Sequence, residues 1–542
     1  MTNICLIIIN YLCFLGINII FGVPGSNAEF LKYIHTTRMI RFIYNKEEKN
    51  SVYMAMGYTK SSNKISCCFG SVGAGTFNLI PGVISAYYES TPILIIGSQS
   101  DFKNKGKNIF QESTGEARTI SQIGQFKNIV KYSAILNTRK LYAQFKNIYF
   151  NLNSFRPGPV YLELPANILS KDVKFDQKLF KKIVFEFNKH KQKQVNKYML
   201  NNNKISLLSR DLERSKSPIF LVGDGLKSDV FVKKISEKLN IPIVSTFKGK
   251  DKINNNFKYY IGVLGLIGTQ ITNDLFLKSD LIISIGTSLS QHTTDNWTLI
   301  KNKKIYRLDT ITNDLTNHKA IVIKGNTDNI LKELLDKLTS LKKYDEDSLK
   351  QLKQNCDIEL KKLNTSLKLK IAATLKSIIP KNSIIVSEDI LLVGKYFNFN
   401  YPNTNINYTN LAPIGCGISG AIGAKLANPN KPVFVILGDG GFNMQVSELN
   451  TILNYNLNII ILLFNNSAYG TVYKYQKHKY NMIFYSTYQN PNYCKLAQLF
   501  GIATYKINKN NINQLKKINH TKKSILFNIV INKDEKINCK IY

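Results

Sequence analysis

Val433-Phe434-Val435-Ile436-Leu437-Gly438-Asp439-Gly440 decides how this chain is read. An apolar run ends in a glycine turn, a polar amphipathic stretch follows, and a second apolar run closes at Asn465-Asn466, with Asn466 27 positions after Asp439. The pattern predicts a buried strand over Val433–Leu437, a helix over Asn443–Asn454 and another strand over Leu457–Phe464. Two hard oxygen donors, the Asp439 carboxylate and the Asn466 amide, would then stand at the carboxyl ends of strands in one parallel sheet, where such sheets bind ligands. A magnesium ion on a diphosphate takes this donor set: one carboxylate, a neutral amide oxygen, a carbonyl, and phosphate oxygens completing the octahedron. Gly438, Gly440 and Gly441 would let backbone approach the phosphates closely. Gly-Asp-Gly alone fits an ordinary Asp-Gly turn equally well; its spacing from Asn466 favours the ion site.

The chain has 542 residues, room for about three domains with full cores. Apolar residues at 44% and aromatics at 11% indicate a folded globular protein. A formal net charge of +37 invites a nucleic-acid reading. The positive residues are mostly lysines scattered among Asn and Ile, with one Trp and no arginine-rich arm, so no nucleic-acid partner is expected. Eight cysteines (Cys5, Cys13, Cys67, Cys68, Cys356, Cys416, Cys494, Cys539) show no CxxC spacing and sit mostly in apolar runs, as reduced thiols of a cytoplasmic-type protein do. None of the six histidines is paired at zinc-ligand spacing. Ile4–Phe21 is apolar enough to raise a signal or membrane segment, but it lacks a basic flank and a cleavage site, and Asn10 and Asn18 interrupt it. It predicts a buried helix leading into a strand over Asn18–Gly22, no membrane partner, and a cytoplasmic location.

Lysine-rich stretches near 178–204 and 342–368 predict linkers or exposed helices between three segments, 1–172, 205–340 and 369–542. Each alternates strand and helix signals, which predicts an α/β fold of three doubly wound parallel sheets. Predicted strands are Ile65–Phe69, Ile93–Gly97 and Pro159–Leu164 in the first segment. The middle segment has Pro218–Val222, Ile241–Ser245, Leu281–Ile285 and Lys304–Leu308. The last has Ile384–Val386, Val433–Leu437, Ile459–Phe464 and Ser524–Ile531.

The first segment carries Phe21-Gly22-Val23-Pro24-Gly25, then Glu47-Glu48 ahead of Gly57, then Gly73-Ala74-Gly75-Thr76-Phe77-Asn78, then Pro92 before an apolar strand. Each is weak alone. In this order, and joined to the Asp439–Asn466 pattern, they resemble the thiamine-diphosphate-dependent decarboxylase and carboligase family over nearly the whole chain. The three segments then resemble its pyrimidine-binding, central and diphosphate-binding domains. The resemblance implies that Glu48 sets a carboxylic acid, desolvated and of raised pKa, against N1′ of the cofactor's aminopyrimidine, with Glu47 its exposed neighbour. It implies magnesium held by Asp439, Asn466 and the main-chain carbonyl of Ala468. The implied cofactor-binding set is Gly25, Gly73, Asn78 and Gln111 from the first segment, and Ala412, Ile414, Gly438, Gly440, Gly441 and Tyr469 from the last. Ile414 matches the apolar wedge that bends the cofactor; as a bare residue it would read as core. Because this family draws the glutamate and the magnesium ligands from different subunits, a homodimer or tetramer is implied.

Local strings are similar to the acetolactate synthase large subunit: Phe110-Gln111-Glu112, Arg156-Pro157-Gly158-Pro159-Val160, Leu264-Gly265-Leu266-Ile267-Gly268-Thr269, and Asn465 through Gln476. That likeness implies decarboxylation of pyruvate and carboligation to a second 2-oxo acid, in branched-chain amino acid biosynthesis, with a regulatory small subunit left open. The departures lie in Gly286-Thr287-Ser288-Leu289-Ser290-Gln291-His292-Thr293-Thr294, where two arginines of the synthase, one tied to flavin and one to the acceptor carboxylate, are absent. His292 stands in for the second without a guanidinium's fork. Thr471 replaces a pocket Met, Tyr475 a Trp, and Ala166 a Lys. The pocket expected to choose the acceptor is Ser288, His292, Thr471 and Tyr475. Whether FAD binds stays open, and so does a second reading, a FAD-independent thiamine-diphosphate decarboxylase or carboligase with another acceptor. Retention of Glu48, Asp439 and Asn466 together argues against a non-catalytic relative.

Overall fold

Ile93–Gln99, Val433–Gly438 and Ile460–Asn465 are apolar along nearly their whole length and buried except at two carboxyl-terminal residues. That is the pattern of parallel strands covered on both faces. The computed structural model describes residues 1–25, 28–198, 202–310, 319–339, 341–362, 367–400, 402–520 and 523–534. They form three six-stranded sheets, each parallel throughout, with helices on both faces. Numbered by chain order within each sheet, the first and the last share the strand order 2-1-3-4-6-5, whereas the central sheet runs 3-2-1-4-5-6. The chain is α/β, as its strand–helix alternation predicts.

The first and last domains share one continuous apolar core. Two helices build it, Glu48–Ser62 and Gly417–Ala427, both buried nearly all round. They cross almost backbone to backbone: a Cβ at Gly57 would collide with the Gly420 carbonyl, and one at Gly423 with the Met54 carbonyl. The central domain joins this pair through charge. Lys60 and Lys248 both reach the fully buried Glu89 carboxylate, at 2.7 and 2.8 Å, and Lys60 also donates to the Asn407 carbonyl. Lys248 and Lys252 in turn reach Asp224, at 3.8 and 3.3 Å.

The structure departs from the sequence reading at several points. Asn443–Asn454 is not one helix; a short helix starts at Asp439 itself and ends at Asn443, and Leu449–Asn454 follows a 3₁₀ turn. In the six-stranded sheets, six strands escape sequence reading: Arg41–Tyr44, Tyr132–Ile135, Tyr260–Val263, Ile321–Lys324, Asn405–Ile406 and Ala503–Ile507; the short antiparallel pair Thr2–Asn3 and Asp172–Val173 escapes it too. The lysine-rich stretches, read as linkers or exposed helices, are helices over Lys178–Tyr198, Asn202–Arg214 and Glu346–Lys362. Ile4–Phe14 is a buried helix leading to strand Ile19–Gly22, and no helix among the described residues is long and apolar enough to cross a membrane. Seven cysteines are free thiols; Cys539 lies outside the described residues.

Candidate active site

The first constellation gathers where strand Ser66–Gly70 ends. Gly73, at φ +68°, turns the chain into the short helix Ala74–Phe77, a conformation that favours glycine. Glu48 opens helix Glu48–Ser62, and its Oε2 accepts a hydrogen bond from Asn78 Nδ2 at 3.2 Å. Gly75 lies against Glu48 and Ser71, Gly25 against Ser71, and Gly73 against Gln111. Gly25, Glu48, Gly73, Asn78 and Gln111, far apart in sequence, are therefore brought together. Glu48 is half-buried rather than sealed, because it begins its helix at the domain surface with Asn78 and Gly75 on one side only. Glu47 is also half-buried and pairs with Lys49 at 2.7 Å.

The second constellation lies at the carboxyl ends of paired strands, where Gly438 faces Phe464 across the ladder. Asp439 follows at once and is fully buried. Its Oδ2 accepts from the Ser467 N–H at 2.7 Å and from Asn490 Nδ2 at 2.5 Å. Its Oδ1 is buried with no hydrogen-bond partner among the described residues. An unpaired buried carboxylate oxygen is costly; burial raises the acid's pKa, with Asn490 and Ser467 opposing. Asn466 turns its Oδ1 to the Ala468 N–H at 3.1 Å, and Ala468 is buried beside it. Tyr469 covers Gly440 and stacks edge-on with Tyr488, their ring centroids 5.0 Å apart. An orphaned carboxylate oxygen, with an amide and a main-chain carbonyl on the loop whose Ser467 N–H bonds the same carboxylate, is a donor set that fits magnesium.

Ala412, at φ +53°, and Gly415, at φ +74°, bracket Ile414, which is 49% exposed. Ile414 is thus an apolar side chain held out on a loop and not a core residue. The helix after this loop has its first donors satisfied from afar. Glu388 accepts from the N–H groups of Gly415, Cys416 and Gly417, and Gln445 Oε1 accepts from those of Ile418 and Ser419. Sequence reasoning missed Glu388, Gln445 and Asn490. Glu388 had a signal, since it stands at the carboxyl end of strand Ile384–Ser387; Asn490 had none.

Three family models match the chain in this order: the thiamine pyrophosphate enzyme N-terminal binding domain over residues 3–118, the central domain over 206–334, and the C-terminal binding domain over 391–527. The chain belongs to the thiamine pyrophosphate enzyme family. Among its relatives are acetolactate synthase large subunits. It is 29% identical to the probable acetolactate synthase large subunit of Methanococcus aeolicus over 538 residues, covering 92% of this chain and 86% of that protein. The acetolactate synthase large subunits of Haemophilus influenzae and Lactococcus lactis are each 27% identical, covering 91% and 96% of this chain and 87% and 91% of their own.

In this thiamine pyrophosphate enzyme the residues expected to choose the acceptor lie on two domains. His292 is exposed on the central domain, where its carbonyl accepts from the Leu266 N–H. Thr471 and Tyr475 are exposed on helix Gly470–Tyr480, and the Tyr475 hydroxyl accepts from Lys479 Nζ at 2.7 Å. The central sheet reverses direction between strands Pro218–Val222 and Leu281–Ile285, the place where a dinucleotide's pyrophosphate would approach. There the chain has its own Gly223-Asp224-Gly225. The Gly225 N–H donates to the Gly286 carbonyl at 2.9 Å, which closes the turn on the neighbouring loop, and the Asp224 carboxylate faces Lys248 and Lys252.

Proposed function

We propose that this enzyme decarboxylates a 2-oxo acid, pyruvate first of all, and joins the two-carbon fragment to a second 2-oxo acid, forming acetolactate for branched-chain amino acid synthesis in the cytoplasm. The observation that carries the cofactor assignment is the buried Oδ1 of Asp439 without a partner. Asp439, Asn466 and the Ala468 carbonyl would hold Mg²⁺. The backbone of Gly438, Gly440 and Gly441, under Tyr469, would face the diphosphate. Backbone at Ala412 and the Ile414 side chain would orient the pyrimidine. When bound, thiamine diphosphate supplies a carbon nucleophile and an electron sink for decarboxylation. Glu48 holds and returns the proton at the aminopyrimidine N1′, with Asn78 fixing the carboxylate and Gly25, Gly73 and Gln111 shaping its surroundings.

The half-buried Glu48 and the exposed Ile414 support a homodimer in which each subunit closes the other's half-site; a tetramer is two such pairs. A regulatory small subunit is compatible with the large-subunit relatives. His292, Thr471 and Tyr475 would select the acceptor. The central crevice, together with the two missing arginines, supports a reaction without flavin, because the turn closes on the Gly286 loop and its two lysines are engaged by Asp224 where a pyrophosphate would come. The same features favour a second reading, a FAD-independent carboligase with an aldehyde or other acceptor. Purified protein given pyruvate, thiamine diphosphate and Mg²⁺, with and without FAD, separates them. Acetolactate in both reactions supports the proposal; acetaldehyde alone moves the assignment to the second reading, and no turnover contradicts both.

A further inference from the structure

Between the loop that would hold the pyrimidine and the turn that would hold the diphosphate lies a carboxylate assigned to neither. Glu388 follows strand Ile384–Ser387, whose sheet neighbour is Val433–Gly438. The chain leaves this strand to one side and returns on the other, so Glu388 stands at the switch point. Its Oε1 accepts from the N–H groups of Cys416 at 2.8 Å and Gly417 at 2.6 Å, and its Oε2 from that of Gly415 at 3.3 Å. The same carboxylate lies against Gly441, where any Cβ would collide with Oε2. Glu388 therefore sets the backbone directly after Ile414 on one side and packs on the second residue after Asp439 on the other. A helix cap needs only the first of these contacts.

We propose that Glu388 is a positioning residue for the cofactor: it fixes the Ile414 loop and the Asp439 turn in one relative placement before the cofactor arrives. The inference rests on the thiamine diphosphate reading of the site. A carboxylate suits the task because both oxygens accept. In Glu388→Gln the volume and one acceptor oxygen persist, enough for Cys416 and Gly417, but the amide NH₂ would face the Gly415 N–H, donor against donor.

Wild type, Glu388→Gln and Glu388→Ala are titrated by calorimetry with thiamine diphosphate and Mg²⁺, and separately with inorganic pyrophosphate and Mg²⁺, alongside thermal melts. Glu388→Gln is expected to keep the wild-type melting temperature and pyrophosphate affinity while binding thiamine diphosphate about tenfold more weakly, since only the Ile414 side is disturbed. Glu388→Ala is expected to weaken both ligands; should it fail to fold, the Gln variant decides. A Gln variant that binds thiamine diphosphate like wild type, or that loses pyrophosphate in equal measure, overturns the proposal. Wild type that binds neither ligand overturns the cofactor reading, and this proposal with it. That result is distinct from a competent wild type with an indifferent variant.

Discussion

The chain contains two Gly-Asp-Gly turns, each directly after a buried strand beside its sheet's switch point, and they are put to opposite uses. At Gly438-Asp439-Gly440 the aspartate is fully buried and, among the described residues, has no salt-bridge partner and keeps one oxygen unpaired. At Gly223-Asp224-Gly225 the aspartate is two-fifths exposed and faces two lysines, Lys248 and Lys252, the first of which also pairs with Glu89 of the first domain. The local sequences are nearly interchangeable; the surroundings are not. An unpaired buried carboxylate persists where a ligand completes it, whereas a satisfied one serves as a joint. Neither role is in the tripeptide. It comes from what the next strands deliver: Asn466 and Ala468 in one case, Lys248 and Lys252 in the other.

The contrast can be broken most sharply through Glu48, the acid assigned to the Asp439 site. Glu48→Gln is expected to slow proton exchange at the cofactor's thiazolium C2 by roughly 100-fold or more while the cofactor stays bound, read by NMR. Exchange at the wild-type rate removes Glu48 from that role. A next effect concerns the shared core that carries the Asp439 domain. Gly423→Ala places a Cβ into the Met54 carbonyl, and separating the two helices should cost about 3 kcal/mol. An unchanged denaturation midpoint would show that the crossing relaxes freely.

The clamp around Asp224 makes a pH prediction. Burial alone would raise the Glu89 pKa, but Lys60 and Lys248 more than reverse it and hold it down to about 2. A carboxylate depressed in the folded state adds stability fully present above its ordinary value of 4.5, and that stability is lost as pH falls through about 2. The contribution at neutral pH is about 3 kcal/mol. Glu89→Gln should lower neutral-pH stability by that order and flatten the acid limb between those values; parallel acid titrations of the two proteins would contradict the clamp. The smallest effect is expected from FAD, whose addition should change neither turnover nor the visible spectrum of the protein.

The centres of the sheets were legible because strands buried on both faces are continuous apolar runs, as in Leu281–Ile285 and Val433–Gly438. In the three six-stranded sheets, all six strands that escaped the reading are edges. Arg41–Tyr44 and Ala503–Ile507 are largely exposed or half-buried with no regular alternation, and Asn405–Ile406 is two residues long, so neither period nor length marks them. At the site, glycines and donors with fixed spacing were readable. Gln445 and Asn490 were not, and Glu388 only by its place at a strand end. They bond groups tens of residues away that only the folded sheet brings near, backbone N–H groups for Glu388 and Gln445 and the Asp439 carboxylate for Asn490.

The most direct test sets the two turns side by side. Wild type, Asp439→Ala and Asp224→Ala are titrated with thiamine diphosphate in the presence of Mg²⁺. Binding should fall by roughly 100-fold or more for Asp439→Ala and by about threefold at most for Asp224→Ala. An Asp439→Ala protein that binds the cofactor with wild-type affinity would contradict the assignment of the Gly438-Asp439-Gly440 turn to the cofactor's magnesium.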